Sequence, residues 1–237
     1  MKLKKIASLM LAGIMAVSML TACDTTSNTP DTGDDQGTTT PVTGYSAKLG
    51  DEIAELSTIA GKKVDWSESS DLQSSLNYQV GNVGYSALTW SFLSSLSDGQ
   101  VQFVDDRWGA PTIVTTVNDN VYNDMDAEEN GRNYGSPYDA VFATNPTLVD
   151  YTADNFNTTM LFVVDNGVDL NNAMDQIAAR IATAVAELDD DFSVMFDGSM
   201  NVDYEYTGSV ATCTKTFEAG HGVGVSFIAV EIVRHIA

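Results

Sequence analysis

Val223-Gly224-Val225-Ser226-Phe227-Ile228-Ala229-Val230-Glu231-Ile232-Val233 is the stretch on which the fold turns. Apolar side chains occupy both parities of its period-two pattern. A strand built from it buries both faces, as a central strand of a sheet does. Working back from it, residues 218–222 make a Gly-containing loop, and residues 209–217 are Thr-rich and β-prone. Thr207-Gly208 predicts a turn. Residues 200–206 alternate, with Val202, Tyr204 and Tyr206 on one face and Asn201, Asp203 and Glu205 on the other. Asp197-Gly198, a hairpin dipeptide, closes a strand at 192–196. Such short connections force neighbouring strands to run antiparallel.

Further upstream the period changes. Leu170, Met174, Ile177, Ile181, Ala184 and Leu188 recur at helical spacing behind Asp169, a natural N-cap. Ala178, Ala179, Ala182 and Ala186 are small enough to let that helix approach a sheet closely. Residues 160–164 are an apolar run of strand length. The expected fold class is therefore α+β: an antiparallel C-terminal β-meander with an amphipathic helix packed on one face, preceded by N-terminal helices. Leu49, Ile53, Leu56 and Ala60 mark the first of these, with Gly61 as its C-cap and Lys62 and Lys63 at its C-terminal end. Leu88, Phe92 and Leu96 mark a second over residues 85–96. Strands are expected at 101–104, 112–117 and 140–143, and Trp66 and Trp90 are expected in the core.

The N-terminus carries a different message. Lys2, Lys4 and Lys5 precede an almost unbroken apolar run at 6–19. About 14 residues suit a signal-peptide core and fall short of the ~20 that a membrane span requires. Leu20-Thr21-Ala22-Cys23 follows and resembles the lipobox of bacterial lipoproteins. The resemblance implies export, diacylglyceryl transfer to the Cys23 sulfur and cleavage just before it. It implies an extracytoplasmic protein anchored by lipid to the bacterial cell membrane. The chain then divides into a lipoprotein signal peptide at 1–22, a lipidated Cys with a disordered Thr/Asp/Gly-rich tether at 23–44, and a single globular domain at 45–237. The tether has one apolar side chain, Val42, and cannot offset its ordering entropy by burial. As a coil it spans roughly 25 Å.

Charge narrows the partners. The whole chain is formally −22, and without the three leader lysines eight Lys/Arg face all 33 Asp/Glu, giving −25. Such a surface repels phosphate backbones, so nucleic acid is not an expected partner. With Cys23 lipidated, Cys213 is the one remaining cysteine, and the mature chain has no internal disulfide. Its alternating context predicts a small buried hydrophobe.

Catalytic motifs are sparse. Gly84-Tyr85-Ser86-Ala87-Leu88 lacks the closing Gly of a nucleophile elbow. Asp124, Asp126 and Glu128 offer oxygen ligands at alternating positions, the chemistry Ca²⁺ favours, although Glu129 and Gly135 stand where an EF-hand needs Gly and Glu. Trp108, Tyr122, Tyr134, Tyr138 and Tyr151 lie among Asn123, Asn130, Asn133 and Asn145. Stacking rings beside amides are what a glycan or an adaptable protein ligand uses. The expected function is a non-enzymatic binding or structural role in the envelope. The alternative is a hydrolase of glycan or peptidoglycan that uses acidic residues such as Asp105 and Asp106, brought together only by the fold.

Overall fold

The structure, a computed structural model, describes residues 38–42, 44–104, 110–128, 155–194, 200–217 and 222–236. Seven strands among them form one mixed, mostly antiparallel sheet, and five α-helices accompany it. The α+β expectation holds, with the antiparallel strands at the C-terminus.

Its spine is a pair of long strands. Strand β6 (Met200–Thr216) runs antiparallel to β7 (Gly224–Ile236), in register from Tyr204 opposite Ile236 to Thr216 opposite Gly224. On the far side of β7 lies β4 (Asn155–Asp165), and beyond it the short β3 (Gln102–Phe103). Strand β7 is thus central, as its two apolar parities require. The other edge of β6 takes up β2 (Val64–Trp66), which is parallel, and β1 (Thr38–Val42), which is antiparallel. Strand β5 (Asp191–Val194) pairs with residues 200–203 and completes the meander β5-β6-β7.

Thr207-Gly208 does not turn the chain. One strand runs through both, because Gly208 is a point of close approach: an added Cβ would lie 2.7 Å from both Trp66 Cε3 and Val64 Cγ1. Residues 38–42 also depart from expectation, being an edge strand and not the last part of a tether. Pro41 is tolerable there, since an edge strand leaves one side of its backbone unpaired.

Helices cover both faces of the sheet, not one. On the first face, α1 (Tyr45–Leu56) and α5 (Leu170–Ala186) bury Leu49, Ile53, Met174, Ile177, Ile181 and Val185. These meet the even-numbered residues of the sheet, among them Met160, Phe162, Val210, Ile228 and Val230. Ala178 and Ala182 are buried in that contact, whereas Ala179 is exposed. On the second face, α2 (Ser70–Gly81), α3 (Trp90–Leu96) and α4 (Thr112–Glu128) meet Leu161, Val163, Ala211, Cys213, Val225 and Phe227. Each fully buried Leu, Val or Phe contributes about 1.5–3 kcal/mol relative to exposure.

Residues 112–117 are helical although Thr-Ile-Val-Thr-Thr-Val is β-branched throughout. Val114, Val117, Val121 and Met125 form a buried stripe of helical period, and Pro111 starts the first turn by accepting from the Val114 amide at 2.8 Å. Packing of that stripe outweighs a weak intrinsic preference. Helix α1 stops at Leu56, before the expected Gly61 cap, when the Ser57 amide donates to the Ile53 carbonyl. Gly61 sits in a following 3₁₀ turn (Ala60–Lys62), tight against Ala54.

Lys63 serves another helix end. Its Nζ donates to the Leu188 carbonyl at 2.8 Å and pairs with Asp190, which offsets the acids that follow α5. The Asp169 side chain accepts from the Asn171 amide, as an N-cap should. Trp90 does not enter the core; it is 77% exposed on the first turn of α3. Substituting Gly208→Val should cost about 1–3 kcal/mol in urea unfolding, because the new side chain overlaps Trp66 and Val64. In a Trp66→Ala background the cost should shrink, since the two positions share one volume.

Candidate functional site

Three polar side chains cross the sheet in one line on the face that α2, α3 and α4 cover. The register places Thr159 of β4 opposite Glu231 of β7, and Glu231 opposite Ser209 of β6. Side chains directly opposite in adjacent strands stand about 4.5–5.5 Å apart at Cβ. Ser209 Oγ donates to Glu231 Oε2 at 3.1 Å. The Thr159 hydroxyl is buried and, among the described residues, has no hydrogen-bond partner. All three are closed off, with exposures of 1% for Thr159, 6% for Ser209 and 8% for Glu231. Two residues further along β6, Thr207 Oγ1 meets His235 Nε2 at 2.9 Å, and both are half-buried. Glu205, opposite His235, is exposed. The second face therefore grades from apolar, at Ala211 and Cys213, to polar and then charged toward the Tyr204 end of β6.

Such a row is unusual inside a core, because a buried hydroxyl or carboxylate is costly unless answered by hydrogen bonds. Chemically it offers a carboxylate acceptor, a serine hydroxyl bonded to it, and one hydroxyl with donor and acceptor capacity unused. A serine within reach of a carboxylate is the elementary form of an activated nucleophile. Among the described residues the row is an internal network and not an open cleft. Composition alone does not reveal it, because only the register brings Thr159, Glu231 and Ser209 together. One signal was nevertheless readable: Glu231 is the single charge in the apolar run 223–233.

Cys213 lies on the same face, fully buried, and burial pushes its thiol up to about 12, against a smaller opposing pull from Lys215. A thiol so protonated is no nucleophile at neutral pH. Lys215, also buried, donates to the Val80 and Gly81 carbonyls at 3.3 and 2.8 Å and so caps the C-terminus of α2.

Of the binding and metal residues singled out in the sequence, the structure describes the side chains of Tyr122 and Asp124. Tyr122 is buried in α4, 4% exposed. Asp124 Oδ2 accepts from Ser75 Oγ at 2.6 Å and Gln79 Nε2 at 3.0 Å, which pins α4 to α2. Positions 124, 126 and 128 fall within α4, and successive positions two apart on a helix are turned by about 200°. Trp108, Tyr134, Tyr138, Tyr151 and Cys23 lie outside the described residues, as do Asp105, Asp106 and the side chains of Asp126 and Glu128. The strand expected at 140–143 lies outside them too. Among the described residues no three His, Cys, Asp or Glu side chains are grouped to hold a metal ion, and no helix is long and apolar enough to cross a membrane. Compared with protein-family models, with curated proteins and with solved structures, the chain matches none.

Two measurements check this description. Thr159→Val should leave stability unchanged or raise it, since it removes an unanswered buried hydroxyl. Ser209→Ala should cost about 1–3 kcal/mol by depriving Glu231 of a donor, and both are read from urea unfolding. Alkaline stability tests the thiol. Folded Cys213 keeps its proton to about 12, whereas an unfolded thiol loses it above ~8.5. The unfolded state then binds fewer protons, so stability should fall as pH rises through that window, by up to ~1.4 kcal/mol per pH unit for this group. Urea titrations of a Cys23→Ser chain between pH 8 and 10, below the range in which the raised Tyr206 hydroxyl adds its own decline, should show this, and adding Cys213→Ala should flatten it.

Proposed function

We propose that this chain is an exported lipoprotein, held to the outer surface of a bacterial membrane through Cys23, whose domain binds or builds and does not catalyse. One observation carries the reading: Leu20-Thr21-Ala22-Cys23 directly after a cationic start and a short apolar run. The state of the second cysteine supports it. With Cys213 shut inside the core, Cys23 is the thiol left for chemistry at neutral pH. Two acyl chains on that sulfur give stable attachment, each buried CH₂ adding about 0.8 kcal/mol.

The contact face proposed for the domain is the Tyr- and Asn-rich segment around Trp108, Tyr122, Tyr134, Tyr138 and Tyr151, and a glycan or a protein is its proposed ligand. Tyr122 is buried in α4, so the stacking rings of that face would be the other four. Calcium is proposed at Asp124, Asp126 and Glu128, where Asp124 would have to exchange its bonds to Ser75 and Gln79 for the ion.

A second reading is an envelope hydrolase of glycan or peptidoglycan working through acidic residues. Glu231, bonded to Ser209, is the buried carboxylate that would serve it, and the core would have to open to admit substrate. Glu231→Gln separates the two readings. If turnover of peptidoglycan fragments is found and is lost in that variant, the binding reading fails.

The anchor is tested by feeding expressing cells an alkyne-tagged fatty acid. The wild-type chain should take up the label and begin at residue 23 by mass, and Cys23→Ser should take up none. An unlabelled wild-type chain contradicts the proposal.

A further inference from the structure

We propose that β1 sets the attitude of the domain on the membrane. Strand β1 delivers the tether at the end of the sheet where β6 passes into β7, so that end faces the lipid and the end carrying Asp189, Asp190, Asp191, Asp203 and Glu205 points away. The inference rests on the Cys23 anchor argued above.

The register supplies the geometry. Thr38 lies opposite Thr216, and Val42 opposite Thr212. The chain therefore enters beside the last residue of β6, where Thr216 also pairs with Gly224 of β7. It runs back along the strand and turns into α1 only after Gly44, whose φ of 100° suits glycine. From Thr216 to Asp203 is 13 residues of one continuous strand, about 40 Å at 3.3 Å per residue. Fourteen residues separate Cys23 from Thr38 and reach at most about 50 Å at 3.3–3.6 Å each. Attachment beside Thr216, at one end of so long a strand, makes that end the one nearer the bilayer.

Exposed carboxylates gather at the far end, where Lys63 pairs with Asp190, while Asp165 lies at the near end opposite Val225. Asp191 and Asp203 are directly opposite in the β5–β6 register and both are exposed, as are Asp189, Asp190 and Glu205. An acidic end is repelled by anionic headgroups within a Debye length, about 8 Å at physiological ionic strength. The far end therefore avoids the surface from which the tether already holds it.

The test uses the lipidated full chain in phosphatidylcholine vesicles whose headgroups carry an acceptor dye. Donor dyes are placed on Asn82→Cys or Asp203→Cys. Asn82 is exposed and follows Gly81, whose carbonyl takes Lys215 Nζ, so it marks the Thr216 end. Cys213, being buried, does not compete for the label. Energy transfer should place the residue 82 donor nearer the acceptor plane than the residue 203 donor, by up to about 40 Å. Replacing residues 38–42 with Gly and Ser should shrink that difference. Vesicles containing phosphatidylglycerol should widen it. A chain that binds vesicles with its two donors equidistant overturns this inference alone, as does a difference that survives replacement of β1. A chain that never enters the vesicle fraction overturns the anchor as well.

Discussion

The ladder between β6 and β7 is the constraint on which the rest of this structure depends. Thirteen residue pairs in unbroken antiparallel register hold two strands that are each covered on both faces. Even-numbered residues point to α1 and α5, and odd-numbered residues point to α2, α3 and α4. A slip of one residue would exchange the two sets and drive Ser209 and Glu231 into the face where Val210 and Val230 now sit. Two cores of different composition thus fix a single register. The polar row is a product of it, because Thr159, Glu231 and Ser209 meet only when the ladder is aligned as observed.

The outer edge of β6 shows how so long a strand is kept from pairing with a stranger. No single neighbour covers it. Strand β2 takes residues 206–208, and the Ser67 amide donates to the Gly208 carbonyl at 2.9 Å. At Val210 the backbone amide donates to Ser46 Oγ at 2.9 Å. At Thr212 the Gln73 side chain acts as a short strand: its Nε2 donates to the carbonyl at 3.0 Å and its Oε1 accepts from the amide at 3.3 Å. Strand β1 then closes the remainder to Thr216. Two helices and two short strands therefore answer backbone groups that would otherwise template aggregation. The same arrangement explains why β1 lies where it does, and why the chain entering the domain is tied to one end of the sheet.

What the sequence made legible follows from how each element is buried. Strand β7 was readable because both of its parities are apolar, and α5 because its stripe is long and capped by Asp169. Helix α4 was masked by Thr112 to Val117, whose branched side chains look like a strand until Val121 and Met125 complete the helical period. Helix α2 was passed over, since Ser, Asp, Asn and Gln dominate it and only Leu72, Ser75, Leu76 and Val80 are buried. Gly208 read as a turn because the sequence does not say that Trp66 lies against it. Strand β1 hid in a Thr-rich tract, where pairing to β6 and not composition makes the structure. The candidate site was the least legible part. Its residues lie 22 and 72 positions from Glu231, at Ser209 and Thr159, and no local pattern joins them.

Function divides along the same line. The proposed address rests on contiguous residues, Lys2 to Cys23, and is open to inspection of the sequence. Any chemistry of the domain is written in register and packing. Amide hydrogen exchange tests the central claim most directly. If the β6–β7 ladder carries the fold, the β7 amides from Val225 to Val233 and the β4 amides from Leu161 to Val164 should exchange only through global unfolding. Their free energies should then equal that from urea titration, while β1 and β5 open locally at lower cost. Exchange of the β7 amides well below the global value would contradict the account, because the strand said to hold both cores would then open while they stayed shut.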